Sequence, residues 1–207
     1  VFLFTDQPEI SSGNLRMIFL PAEDRIPVKL VSEHQNGTNL YLPWAQDSES
    51  QVRIGLEKPA IELEQIPGIV SEIVDSCIRS FIFVRNLRKI KVSLNSKVVL
   101  HLTRQKNEDE IIITDKIQSK STTWLLLKSD SKSEATLETL RKSDPNFESR
   151  RTLFEILIPT EIQDGFSGLL YATLATNQRT YLPFHVNADF YPDTSRNNLS
   201  FKDRGNE

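Results

Sequence analysis

The sequence predicts an α+β protein, built mostly of antiparallel sheet with few helices, and three observations lead there. Apolar and polar residues alternate with period two along short segments such as Leu15, Met17, Phe19 or Ile90, Val92, Leu94, which sends successive side chains to opposite faces of a strand. One segment carries a strong helical stripe: Ile66, Ile69, Val70, Ile73, Val74, Cys77 and Ile78 recur at three-and-four spacing. Turn-forming groups, Ser11-Ser12-Gly13-Asn14, Asn36-Gly37 and Gly165-Phe166-Ser167-Gly168, punctuate the alternating runs, as hairpins and meanders require.

Val1 to Phe4 is an apolar run, the end of a helix or a strand, with neither the basic flank nor the cleavage site of a signal peptide. It reads as the interior of a domain, so the chain is expected to be cut from a longer protein. Ser11 to Asn14 is predicted to turn a hairpin between Ile10 and the strand Leu15, Met17, Phe19. Pro21 to Pro27 is a polar loop. Val28 and Leu30 are predicted to pair with Leu40, Tyr41 and Leu42 across a loop, His34 to Thr38, in which Asn36-Gly37 is the turn dipeptide. Ala45 to Lys58 is polar and reads as a linker.

The helix begins near Ile66, with Pro67 tolerated in its first turn. Ser80 to Leu94 is predicted as one long strand or two, because Phe81 and Phe83 alternate early and Ile90, Val92 and Leu94 alternate late. Lys97 to Arg104, Glu110 to Ile113 and Thr122 to Lys128 form a predicted antiparallel meander with Trp124 and Leu125 to Leu127 in its core. Asp130 to Ser143 is acidic early and basic late, the polarity that favours a helix dipole, with a mobile loop as the rival reading. Strands follow at Arg151 to Ile158 and Gly168 to Leu174, then a connection from Thr176 to Thr180 and a strand from Tyr181 to Asn187.

Composition narrows the function classes. Of 207 residues, 38% are hydrophobic and 26% charged, the balance of a soluble globular protein, and no apolar run is long enough to cross a bilayer. A net charge of -3 and a pI near 5.7 give no global polyanion-binding surface, so nucleic acid is not expected as the main partner. The single cysteine, Cys77, excludes an internal disulfide framework and fits a reducing, cytoplasmic compartment. It lies on the helical stripe and reads as a structural thiol.

His34, His101 and His185 lack metal-ligand spacing, so no metal site is predicted. The motifs GxSxG, HExxH, Walker A, CxxC and GxGxxG are absent. Arg85, Arg88, Lys89 and Lys91 read as a solvated face rather than a phosphate track. His185, Asn187 and Asp189 share a strand face if the strand extends that far, but no nucleophile accompanies them, so His185 reads as a hydrogen-bonded structural residue.

The stretch of densest polar specificity is Leu182 to Phe201, LPFHVNADFYPDTSRNNLSF. After the strand, an aromatic pair (Phe190, Tyr191) and a Pro-Asp turn deliver Arg196 at the start of a short predicted helix, with Ser195 as its cap. A guanidinium so placed suits a phosphate. A surface salt bridge is the plainer alternative.

Taken together these residues resemble the GHKL ATPases, closest to the sacsin-like and heat-shock-chaperone-like branch. Asn36-Gly37-Thr38-Asn39-Leu40-Tyr41-Leu42-Pro43 resembles the Gly-Thr strand that closes that family's nucleotide domain, which implies Gly37 and Thr38 as cofactor-binding residues near the adenine. VFLFTDQPEISSG looks like the helix end and strand that follow the family's glycine-rich lid. Leu182 to Asn187 and Thr194 to Leu199 resemble the strand and Ser-Arg motif of its transducer domain, which implies Arg196 as a catalytic group directed at the γ-phosphate. Asn95 to Leu102 also resembles the end of a GHKL nucleotide domain, without the Gly-Thr.

The resemblance implies terminal strands of a nucleotide domain in residues 1–46 and a transducer-like α/β sandwich in 47–207, with a left-handed β-α-β crossover. It implies ATP and Mg for the intact protein and none held tightly by this chain, whose sequence starts after the magnesium-binding Asn helix, the Asp-containing adenine motif and the lid. The implied partners are the upstream nucleotide-binding part of the same protein, a protein client and a second copy in a homodimer. A membrane is not implied. The rival reading is a non-enzymatic interaction module that docks a protein through Arg85 to Lys91 or Phe190-Tyr191.

Overall fold

The computed structural model describes residues 4–23, 25–130, 138, 142, 153–190, 192–193 and 197–199. Its secondary structure is α+β, with few helices and strands paired almost entirely antiparallel. The chain forms two compact units, Val1–Ile69 and Val70–Glu207.

In the first unit β1 (Glu9–Ile18) and β2 (Val28–Tyr41) make a two-stranded antiparallel ribbon. Both turn-like groups expected to reverse the chain lie inside these strands instead. Ser12 pairs with Thr38 but Gly13 pairs with Gln35, so Asn36 and Gly37 bulge out of register. Gly37 takes a φ of 94°, open to glycine and strained for other residues, so its conformational freedom serves a bulge and not a hairpin. The chain reverses at the proline-bounded segment, where Leu20 bridges Arg25 and the Ile18 N–H donates to the Pro27 carbonyl at 3.2 Å. The expected linker also has structure: α1 (Gln51–Gly55) carries Arg53, 1% exposed, whose Nε donates to Asp6 Oδ1 at 2.5 Å.

Helix α2 (Ile66–Phe81) follows the predicted stripe, entered through a capping box of Glu62 and Gln65. It ends where a strand was expected. Phe81, Ile82 and Phe83 are all buried, three in succession, so the alternation read there was not a strand signal. The last carbonyls of a helix lack intrahelical donors, and here Arg104 supplies them. Its guanidinium donates to the carbonyls of Phe81, Ile82 and Arg85 at 3.1, 3.2 and 2.8 Å and lies 5.7 Å from the Phe81 ring centroid. A cation at a helix C-terminus also complements the dipole. Arg104→Met is expected to cost about 2 kcal/mol, read as a lower urea midpoint with unchanged slope.

Eight strands form the sheet of the second unit, in the order β3-β4-β5-β6-β7-β10-β8-β9. They are β3 (Lys89–Leu94), β4 (Lys97–Lys106), β5 (Glu110–Asp115), β6 (Lys120–Asp130), β7 (Leu153–Pro159), β8 (Leu169–Ala172), β9 (Leu174–Arg179) and β10 (His185–Asn187). The predicted meander is β4 to β6. Among the described residues no β-α-β crossover is formed. Among the described residues the one parallel pairing is β8 with β10, and β9 rather than a helix occupies their connection. β6 and β7 are antiparallel neighbours.

Cross-strand register puts Leu100 and Leu102 of β4, Ile111 and Ile113 of β5, Trp124 and Leu126 of β6, Leu157 of β7, His185 of β10 and Tyr171 of β8 on one face. Val74 and Cys77 of α2 pack on that face against Leu100 and Leu102. A second cluster joins Ile82, Phe83, Ile111, Leu126, Leu157 and Tyr171. Of the three leucines expected in the core only Leu126 is buried, because Leu125 and Leu127 point to the opposite, exposed side.

Arg85, Arg88, Lys89 and Lys91 are exposed, as expected of a solvated face, and the two lysines guard the edge strand β3. The predicted helix at Asp130 to Ser143 falls outside the described residues except for 130, 138 and 142. Among the described residues no helix is long and apolar enough to cross a membrane.

Candidate functional site

Between α2, the covered face of the sheet and the loop before β8 lies a cavity of about 650 Å³. Its aromatic wall is built around His185. Register with Leu157 of β7 brings this histidine onto the covered face, where its ring lies 4.9 Å from Trp124 at an interplanar angle of 34°. Tyr171 and Phe166 meet it edge-on at 5.2 and 5.4 Å. The loop carrying Phe166 is fixed by Gly168, whose N–H donates to the Leu182 carbonyl at 2.8 Å. A Cβ at Gly168 would stand 1.7 Å from the Phe184 carbonyl oxygen, so only glycine permits this approach.

His185 Nδ1 accepts the Leu169 N–H at 2.9 Å. Burial, which disfavours the imidazolium, lowers its pKa to about 4. Tyr171 donates its hydroxyl to the Arg79 carbonyl at 3.0 Å, tying β8 to α2, and burial pushes its pKa upward. Tyr171→Phe keeps the ring and strands that carbonyl, so a loss of about 1 kcal/mol is expected in a denaturant titration. Burial likewise raises the Cys77 thiol above its ordinary value, which disfavours the reactive thiolate.

The polar residues of the Leu182 to Phe201 stretch act as locks. Tyr181 to Phe184 do not extend the strand; β10 is only His185–Asn187, all three residues buried. The expected connection from Thr176 to Thr180 is largely β9, pinned by Thr176, whose hydroxyl donates to the Leu170 carbonyl at 2.8 Å. Asn187 Oδ1 accepts the Thr173 N–H at 2.9 Å, and its Nδ2 donates to the buried Glu155 carboxylate at 2.8 Å. The Ala188 N–H then donates to the Tyr171 carbonyl at 3.1 Å.

Further on, Pro192 bridges Leu199 and the Asp193 N–H donates to the Asn198 carbonyl at 2.8 Å. The Asn177 N–H donates to the Asn197 carbonyl at 2.6 Å and the Leu199 N–H to Gln178 Oε1 at 3.0 Å. The segment is thus tied to itself across 194–196, and to β9 through Asn197 and Leu199. Arg196 itself lies outside the described residues, as do Ser195 and Tyr191.

Gly37 and Thr38 are neighbours in β2 of the first unit. Both are exposed, and Thr38 Oγ1 shares a hydrogen bond with Ser12 Oγ at 3.0 Å. The cavity residues lie in the second unit and were not singled out from sequence as a site, because helix, meander and loop come together there only through tertiary packing. The one signal in sequence was His185, read as a hydrogen-bonded structural residue, which the Leu169 N–H bears out; its burial was not foreseen.

No family model, no curated protein and no solved structure matches the chain.

Proposed function

We propose that this chain is part of a GHKL-type ATPase, carrying the closing strands of its nucleotide domain in residues 1–46 and a transducer-like domain in 47–207. ATP binding and hydrolysis in the intact protein would close the domains and pass the motion to a protein client or a nucleic acid to be remodelled. The observation that supports this reading best is the anchoring of the Leu182 to Phe201 stretch. Its His185 and Asn187 hold the strand through buried side-chain bonds, and Asp193 and Asn198 join across the residues that include Arg196. Such anchoring on both sides of 194–196 would suit a segment whose arginine must act at a fixed place, as transition-state stabilisation requires.

In this reading the chain supplies only part of the nucleotide site. Among the described residues no three His, Cys, Asp or Glu side chains group to hold a metal ion. Its contribution would be the Thr38 hydroxyl toward the adenine and Arg196 toward the terminal phosphate, with the upstream part supplying the remainder. Thr38→Val in the full-length protein is expected to raise the KM for ATP roughly tenfold, the loss of about one well-placed hydrogen bond, with kcat little changed. An unchanged KM rejects the placement of the adenine at Thr38.

A further inference from the structure

The cavity beneath α2 holds polar groups that the fold does not use. Because Nδ1 of His185 accepts the Leu169 N–H, the neutral ring carries its proton on Nε2. Nε2–H has no hydrogen-bond partner among the described residues, although His185 is only 7% exposed and lines the cavity. Ser167 lines it too, with a buried Oγ that has no partner among the described residues.

Two arginines of the lining, Arg79 of α2 and Arg179 of β9, are exposed and form no ion pair among the described residues. The acid present, Asp115, is engaged: its Oδ1 accepts the N–H groups of Ile117 and Gln118 at 2.8 and 3.2 Å, and it stands opposite Lys120 across β5 and β6. Lys120 balances its charge, which leaves the two guanidinium groups as the net field of the lining.

We propose that this cavity binds a small molecule with a planar aromatic body and one carboxylate. The body packs among Trp124, Phe166 and the His185 ring, and the carboxylate meets the guanidinium forks of Arg79 and Arg179. A volume of about 650 Å³ fits such a ligand and falls within the range of small-molecule sites. The planar fork of arginine matches a carboxylate in two parallel hydrogen bonds. An acceptor on the aromatic body would take the proton of His185 Nε2. The proposal uses neither Thr38 nor Arg196 and does not depend on the ATPase reading.

The test is calorimetry of the full 207-residue chain with 2-naphthoate and with its neutral analogue 2-naphthalenemethanol, repeated by Trp124 fluorescence in a Trp44→Phe background. Saturable one-to-one binding of 2-naphthoate is expected, about tenfold or more tighter than the alcohol. The double variant Arg79→Gln, Arg179→Gln should lose that preference while melting at the same temperature. Ser167→Phe, which fills the cavity, should abolish binding of both probes. The proposal is overturned if 2-naphthoate does not saturate, or if the double glutamine variant binds it as well as the parent does. Should Ser167→Phe not fold, the double variant decides alone.

Discussion

Arg196→Ala in the full-length protein is expected to lower kcat for ATP hydrolysis by roughly tenfold to thousandfold, the range seen when one charge-stabilising donor is removed from a reacting centre. A group that acts only on the charge developing during phosphoryl transfer should leave ATP affinity nearly intact. The KM is therefore expected to change little, and the melting temperature to stay within a degree or two, as for a residue that acts in the reaction rather than in the fold. Arg196→Lys keeps the charge without the planar fork and should recover only part of the rate. If Arg196 makes a surface salt bridge instead, the alanine variant hydrolyses ATP at the parental rate.

The second large effect is acid destabilisation centred on His185. Its pKa falls from the ordinary 6.5 to about 4 on folding, so between those values the unfolded chain binds a proton that the folded chain refuses. Stability then rises with pH, because the state with more bound protons loses ground as protons become scarce. The contribution is complete above pH 6.5 and is lost progressively as the pH falls toward 4, reaching about 3 kcal/mol. Denaturant titrations at pH 7 and pH 4.5 measure it. In His185→Gln, which has no titrating ring, this part of the pH dependence should vanish even if the variant is less stable throughout. A parental slope in that variant would assign the acid sensitivity to other groups.

The parts of the fold legible in sequence are those where one local rule acted alone. The stripe Ile66 to Ile78 became α2 because its apolar spacing had one solution, and the meander from Lys97 to Lys128 became β4 to β6 because alternation and polar turns agreed. Where two local rules competed, tertiary context decided. Asn36-Gly37 has the chemistry of a hairpin turn, yet its conformational freedom went into a bulge while prolines at 21 and 27 framed the reversal.

Phe81 and Phe83 alternate as a strand would, but the cap from Arg104 completes a helix there, and nothing in the local sequence announces a partner 23 positions away. The same reasoning explains the site. His185 and Asn187 were visible as a polar pair on one strand, but their partners Leu169, Thr173 and Glu155 come from β7, β8 and the residues beside it. Among the described residues β9 occupies the connection between β8 and β10, and its polar sequence, Leu174 to Arg179, gave little strand signal because its hold includes the Thr176 hydroxyl donating to Leu170 and Gln178 Oε1 accepting the Leu199 N–H.

The most direct measurement of the ATPase reading is hydrogen exchange on the full-length protein with and without a non-hydrolysable ATP analogue, followed in peptides covering residues 182–201. If the segment that carries Arg196 closes on the γ-phosphate, its amides between Asp189 and Leu199 gain protection when the analogue binds, and Arg196→Ala removes that gain while the analogue still binds. Exchange through this segment that is the same with and without saturating analogue would contradict the account.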